Sequence, residues 1–198
     1  MRSIRLWRIF LVLCLFPVFL MLNGCASTGR TQMAGRPQGY VNYSNYNEDD
    51  YKARLPQQIS MGKEKVVIVD PNKYAWGAYN AQGQLVRAGI ATSGGDKCDD
   101  EDRSCRTDVG TWRITSAQGE DCYSKIYPRP NGGGLMPYCM FFHNGEALHG
   151  SPDDIVVENN ISHGCVRMRI QDAEWMYSQF AQVGTKVVVL PYDHPIQN

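Results

Sequence analysis

Apolar and polar positions divide the chain into three stretches of different character. At the start, Arg2, Arg5 and Arg8 precede an unbroken apolar run from Ile9 to Leu22, which closes on Asn23-Gly24-Cys25. The run is shorter than the roughly 20 residues a membrane-crossing helix needs. With its basic flank and small-residue end, the stretch 1–24 reads as a secretory signal peptide. From 25 to 60 no apolar period is sustained. Gly, Asn, Gln and Ser dominate, and Tyr40, Tyr43, Tyr46 and Tyr51 recur without helical or strand spacing. That composition predicts a disordered tether, its tyrosines either solvated or stacking on a partner.

Beyond the tether the pattern is that of strands. Lys65 to Asp70 is a Val/Ile run, Tyr74 to Tyr79 alternates, and Asn80 to Gly83 is a turn into Gln84 to Ala91, which together predict a β-meander. Further strands are expected at Gly110 to Thr115, Cys139 to His143, Glu146 to His149 and Thr185 to Leu190, separated by loops at Thr92 to Asp108 and Gln118 to Pro137. One helix is expected where Ile170, Ala173, Met176, Tyr177 and Phe180 recur at helical spacing. Asp172 and Glu174 lie in its first turn and Gly184 follows as a stop, and the stripe predicts core packing. The sum is a mostly β domain over 61–193 with one main α-helix and a tail at 194–198.

Charge changes the picture in one respect. Lys and Arg total 20, as do Asp and Glu, and loss of residues 1–24 leaves 17 basic against 20 acidic side chains, a formal −3. The basic stripe that nucleic-acid binding requires is absent, so no nucleic-acid partner is expected.

Seven cysteines must be placed. Cys14 lies in the signal. Leu22-Asn23-Gly24-Cys25 resembles the bacterial lipobox, which implies lipidation of Cys25 and a membrane anchor. Ala26 and Ser27 after it resemble the signal that sends enteric lipoproteins to the outer membrane. The expected location is therefore the periplasmic face, lipid-held. Of the remaining five, an even subset should pair in an oxidising compartment. Cys98, Cys105, Cys122 and Cys139 allow three connectivities. Cys98 with Cys105 and Cys122 with Cys139 is preferred, because each pair closes a short local loop. No CxxC unit occurs, which argues against a structural zinc and against thiol-redox chemistry.

Cys165 is the thiol left over. It lies in Ser162-His163-Gly164-Cys165-Val166-Arg167-Met168, with His149-Gly150-Ser151 sixteen positions upstream. Taken alone, a Cys is often a small buried hydrophobe. An unpaired thiol in an exported protein, beside a second reactive side chain, points instead to nucleophilic chemistry. The two segments resemble the catalytic domain of L,D-transpeptidases of the YkuD type: His-Gly, a spacer, then Ser/Thr-His-Gly-Cys and Val/Ile-Arg/Asn-Leu/Met. Thr107-Asp108-Val109-Gly110-Thr111-Trp112 is similar to the family's Thr-Pro-x-Gly-x-aromatic stretch, with Asp108 in place of the usual Pro. Met136-Pro137-Tyr138 is similar to its Met-Pro-Tyr. The spacer departs too, carrying Asp153, Asp154 and Glu158.

The resemblance implies a β-sandwich-like fold and a division of roles. Cys165 is the nucleophile and His149 its proton acceptor and donor, oriented by a backbone carbonyl near Gly150. Amides at Gly164 and Cys165 face the developing oxyanion, with His163 auxiliary. Arg167, Ser162 and Gly150 belong to the substrate-binding rim, although a structural salt bridge is an equal expectation for Arg167. The implied substrate is a peptidoglycan tetrapeptide stem. Cys165 attacks its third residue, D-Ala leaves, and the acyl group passes to a second stem, a protein lysine or water. No cofactor and no metal are implied. Sortases lack the Ser-His-Gly-Cys cluster, and papain-like hydrolases place Cys before His. A wall-binding lipoprotein without activity is the reading from another class. The acidic spacer suggests an amine as acceptor.

Overall fold

Two sheets and one main helix make up most of the described residues, and the Val/Ile run seen in the sequence lies in the middle of the larger sheet. The computed structural model of the protein describes residues 38–60, 62–98 and 100–196. The signal peptide, Cys14, the lipidation candidate Cys25 and the first part of the tether lie outside the described residues.

The first helical piece is a 3₁₀ turn at Tyr43–Asn45, followed by the short helix α1 (Glu48–Lys52), whose start is capped by the Asn47 side chain accepting from the Asp49 amide at 3.1 Å. The expected tether therefore does not extend to residue 60. Tyr51 and Leu55 are only 3% and 5% exposed and pack on Ala75, Ala88, Ile90 and Val156. Tyr43 Oη donates to the Val156 carbonyl at 2.5 Å, and Tyr51 Oη and Arg54 Nη2 both donate to Glu158 Oε1, at 3.0 and 2.6 Å. Tyr46 stacks between Tyr43 and Tyr51, under the Arg169 guanidinium. Composition misleads here because tyrosine buries its ring while its hydroxyl finds a polar partner, so a Tyr-rich polar segment can dock without an apolar period. A protein beginning at residue 61 should consequently unfold at a lower urea midpoint than one beginning at residue 38. Leu55→Ala alone should cost about 3 kcal/mol. Equal midpoints would show that the segment contributes nothing to stability.

The strands follow in chain order: β1 (Val66–Asp70), β2 (Ala75–Tyr79), β3 (Leu85–Ile90), β4 (Gly110–Arg113), β5 (Ser116–Ala117), β6 (Met140–His143), β7 (Glu146–Ser151), β8 (Val166–Arg169) and β9 (Lys186–Val189). The larger sheet is ordered β3-β2-β1-β9-β4 and the smaller β5-β6-β7-β8. β1 pairs antiparallel with β2 and parallel with β9, so it is paired on both edges and covered on both faces. Val67 and Val69 point with Trp76, Ala78, Val187 and Val189 into the core between the sheets, while Val66 and Ile68 face Tyr79 and Val188 on the far side. β6 and β7 contribute Met140, Phe142 and Leu148 from the other layer, and β8 contributes Val166 and Met168.

α2 (Ile170–Trp175) continues into a π-helical turn at Met176–Phe180. Ala173, Met176 and Phe180 enter the core, but Ile170 and Tyr177 are exposed, contrary to the stripe read from the sequence. Tyr177 instead lays its ring against Tyr138 at the surface, 5.8 Å between centroids. Ile170, the first helical residue after β8, sits at the rim. β8 itself is not foreseen by periodicity, because its residues fall inside the reactive motif.

The candidate active site

β7 and β8 are parallel neighbours with Leu148 opposite Val166 and His149 opposite Arg167. Alternation along a strand then decides the faces. Leu148, Val166 and Met168 enter the core, and Ala147, His149 and Arg167 take the opposite face, joined by Cys165 one step before β8. This face is roofed by the loop that runs back to β6. Its disulfide, Cys122–Cys139, packs with Met136 and Ala147, against Phe141 and Cys165. A second disulfide joins Cys98 and Cys105. Cys165 is unpaired and half-buried.

The turn presenting Cys165 is held from two sides. Ser162 Oγ donates a short hydrogen bond to the Cys165 carbonyl and accepts the Gly164 N–H at 3.2 Å, and Thr107 Oγ1 donates to the Gly164 carbonyl at 2.8 Å. Gly164 has φ +120°, a conformation side chains rarely adopt, and a Cβ there would lie 3.0 Å from Glu146 Oε1. Two expectations are corrected here. The Gly164 N–H donates to Ser162 Oγ, so in this arrangement Gly164 shapes the turn and its amide is engaged, not free for an oxyanion. Ser162 is buried inside the turn, not on a substrate rim. Gly150 is likewise a buried packing position: its amide donates to the Pro137 carbonyl at 2.8 Å, and a Cβ would meet Ile170 Cα at 3.0 Å.

The Gly150 carbonyl has a second role. His149, 5% exposed, donates from Nδ1 to it at 2.8 Å, with Ser151 Oγ 3.3 Å from the same nitrogen. This leaves Nε2 as the proton-accepting nitrogen. Burial, reinforced by the Arg167 charge and only partly opposed by the Gly150 bond, lowers the His149 pKa to about 4. Burial likewise pushes the Cys165 thiol up to about 11. The Ala147 N–H and the Arg167 charge favour the thiolate, and the Glu146 charge disfavours it. The resting pair is therefore a neutral thiol beside a neutral imidazole. Alkylation of Cys165 by iodoacetamide should be more than about tenfold slower at pH 7 than that of an ordinary cysteine with a pKa near 8.5, and should still be rising above about pH 9. A plateau near neutral pH would disprove the neutral resting state.

Arg167 is half-buried and has no ion pair among the described residues, so the structural salt bridge is not realised and the guanidinium faces the site. His163 points elsewhere. Its Nε2 lies 2.7 Å from Asp100 Oδ1, and its ring packs on Tyr127 at 4.4 Å between centroids. Asp100 belongs to the Cys98–Cys105 loop and Tyr127 to the Cys122–Cys139 loop. Tyr127 Oη donates to Glu101 at 2.6 Å, and Arg129 Nε lies 2.8 Å from the same carboxylate. The two stapled loops are thus clasped together, with His163 tied to both. The spacer acids serve the docked N-terminal segment: Glu158 holds Tyr51 and Arg54, and Asp153 and Asp154 line a surface hollow with Tyr40, Asn42, Tyr43 and Ser44.

Asp100, Tyr127 and Glu146 are neighbours of the Cys165 turn that the sequence does not single out, and Thr107, noted there only as part of the family stretch, proves to hold the Gly164 carbonyl. The cysteine spacing marks two stapled loops but not what lies within them, and nothing local distinguishes Glu146 from any strand-end carboxylate.

With this geometry in view, the class of the chain is settled by comparison. Residues 64–189 match the model of the YkuD L,D-transpeptidase catalytic domain, and the protein belongs to that family. The Bacillus subtilis (strain 168) protein named "Putative L,D-transpeptidase YciB" is 30% identical over 139 residues, covering 64% of this chain and 67% of that one. Among solved structures, an L,D-transpeptidase from Xylanimonas cellulosilytica DSM 15894 shares the fold with a TM-score of 0.58 at 23% identity, over 70% of this chain and 66% of that one. One from Stackebrandtia nassauensis does so with a TM-score of 0.54 at 24% identity, over 68% and 59%. The chain thus spans about two thirds or less of the solved relatives. The mostly β, two-sheet architecture with one main helix is the fold these proteins share.

Proposed function

We propose that the protein is a cysteine-dependent L,D-transpeptidase that acts on peptidoglycan tetrapeptide stems. The observation that carries this reading is the register of β7 and β8, which puts the unpaired Cys165 and the Gly150-anchored His149 on one roofed face, with Arg167 beside them. Arg167, with no carboxylate partner among the described residues, receives the terminal carboxylate of the stem through its planar fork. As the third residue's carbonyl carbon reaches Sγ, the thiol proton passes to His149 Nε2 and the C–S bond forms. The Cys165 amide is the backbone donor left for the oxyanion, since that of Gly164 is engaged. The C–N bond to D-Ala then breaks, and the departing amine takes the proton from His149. The resulting thioester passes its acyl group to an amine. Neutral partners suit a roofed site, because charge then appears only as bonds change and no ion pair has to be kept desolvated at rest. Export and a lipid anchor at Cys25 on the outer membrane would put the domain in reach of this substrate.

The test is to incubate the protein with a disaccharide-tetrapeptide and follow products by intact mass. Loss of D-Ala with a cross-linked dimer is expected. Loss of D-Ala without dimer would favour carboxypeptidase action through the same thioester. Failure both to release D-Ala and to form an adduct with a carbapenem would leave a wall-binding role as the better account.

A further inference from the structure

Glu146 stands at the start of β7, immediately before Ala147, whose amide faces the Cys165 sulfur. Its carboxyl fills the space that a side chain on Gly164 would take, with Oε1 3.0 Å and Cγ 3.6 Å from that Cβ position. It therefore abuts the turn that presents the nucleophile. Among the described residues the donor it meets is a single one, the Asp108 amide, shared between Oε1 at 3.0 Å and Oε2 at 3.2 Å. One N–H divided between two oxygens leaves acceptor capacity on both. The arrangement also explains the departure from the family pattern at position 108. A proline there would have no N–H to give, so the residue that breaks the pattern is the one that holds the carboxyl in place.

The Asp108 side chain is fixed in turn, with Oδ2 3.1 Å from His143 Nε2 and 3.4 Å from Asn144 Nδ2, while its carbonyl accepts the Trp112 indole N–H at 3.0 Å. The carboxyl thus sits on an ordered support, and it lies on the Thr107–Asp108 side of the turn. Arg167 and the Cys122–Cys139 roof share the other strand face.

We infer that Glu146 is the general base for the second half of the reaction, receiving a proton from the cationic amine that accepts the acyl group. This rests on the transpeptidase reading above and adds to it the group that selects an amine over water. The acceptor arrives as an ammonium and cannot attack until it loses a proton. One proton passes to the Glu146 carboxylate, the freed nitrogen bonds to the thioester carbon, and the C–S bond breaks. The second proton of the new amide nitrogen goes to the departing Cys165 sulfur by way of His149, and Glu146 returns its proton to water. A carboxylate also attracts the ammonium into a space where neutral water gains less. Burial, and secondarily the Asp108 charge, raise the Glu146 pKa to about 8, against the Asp108 hydrogen bond and the Arg103 charge, which lower it. A base tuned close to neutral pH suits this transfer better than an ordinary carboxylate. Cys165 and Tyr192 are the other titratable groups that feel its charge.

The experiment compares wild type with Glu146→Gln, using the disaccharide-tetrapeptide as both acyl donor and amine acceptor. The ratio of cross-linked dimer to hydrolysed tripeptide is the readout. Both products leave one common thioester, so any effect on its formation cancels. The substitution is close to isosteric, and tripeptide formed by the variant certifies that it is folded. The ratio should fall about 100-fold. It should also lose the rise that wild type shows between about pH 7 and 9 as Glu146 ionises. An acyl-enzyme that forms in both proteins with the same ratio overturns the inference and leaves the transpeptidase reading standing, whereas a wild type that passes its acyl group only to water overturns the inference and turns the underlying reading to carboxypeptidase action through the same thioester. A variant that cannot be acylated at all places Glu146 before the thioester and removes it from the acceptor step. Absence of acyl-enzyme in wild type sinks the underlying reading, and the inference with it.

Discussion

Cys165→Ala should abolish the thioester and reduce D-Ala release by at least about 10⁴-fold, since the substitution removes the atom to which the acyl group is bound. Cys165→Ser is the more informative companion. It preserves size and the hydrogen-bonding environment, yet its hydroxyl is a far weaker acid and nucleophile than the thiol. His149 is itself a weak base, held near 4 by burial. Activity of the serine variant should therefore stay within about tenfold of the alanine one, in contrast to a site built around a strong base. Both variants should unfold like wild type, because the side chain is small and only half-buried. Release of D-Ala at more than about a tenth of the wild-type rate by the folded alanine variant would remove Cys165 from the chemistry.

His149→Gln should lower acylation by about 10³-fold while leaving the fold in place, since glutamine fills most of the ring's volume and its amide can still donate to the Gly150 carbonyl. The sign of the wild-type pH dependence follows from the direction of the shift. A lowered histidine pKa means that the neutral, proton-accepting form persists to lower pH than for an ordinary histidine. Acylation should then stay level from pH 7 down to about pH 5 and fall only as the solution approaches the value near 4. A limb near 6.5, the ordinary histidine value, would mean that burial does not govern this ring. The glutamine variant should show no limb in that range. A glutamine variant with wild-type acylation would assign proton transfer to another group.

Much of this was legible in the sequence. The Val/Ile run at β1 and the alternation at β2 are readable because a strand covered on both faces must be apolar throughout, whereas one covered on one face alternates. The reactive cluster is readable because only cysteine can form a thioester, and Cys165 stands with Ser162, His163 and Arg167 inside 162–168. The five cysteines of residues 61–193 must leave one unpaired if the others form disulfides, and the Ser-His-Gly-Cys cluster marks Cys165 as that one before any contact is known.

What escaped was whatever depends on residues distant in the chain. Tyr43, Tyr46 and Tyr51 look solvated until Val156 and Glu158, more than 100 positions away, supply a surface and a partner for them. The acids of the spacer look like acceptor-side charges until Glu158 is found holding Arg54. His163, within the turn that presents Cys165, looks like a participant until Asp100 and Tyr127 claim it for the clasp between the two disulfide loops. Gly164 and Ser162 look like an oxyanion hole and a substrate rim until their hydrogen bonds are traced back into the turn.

By itself, then, the sequence determined the chemical groups, the odd thiol, the strand-rich domain and the family pattern, because composition and short-range periodicity are properties of neighbouring residues. Only the tertiary structure decided that His149 and Cys165, sixteen positions apart, share a face. The parallel register of β7 and β8 brings that about, and a one-residue slip would turn the two side chains to opposite faces. Only the packing decided their protonation, because desolvation depends on what covers a group and not on what precedes it in the chain. Glu146, invisible as one more acid near a turn, became a candidate base once Gly164 left it room and Asp108 gave it an N–H.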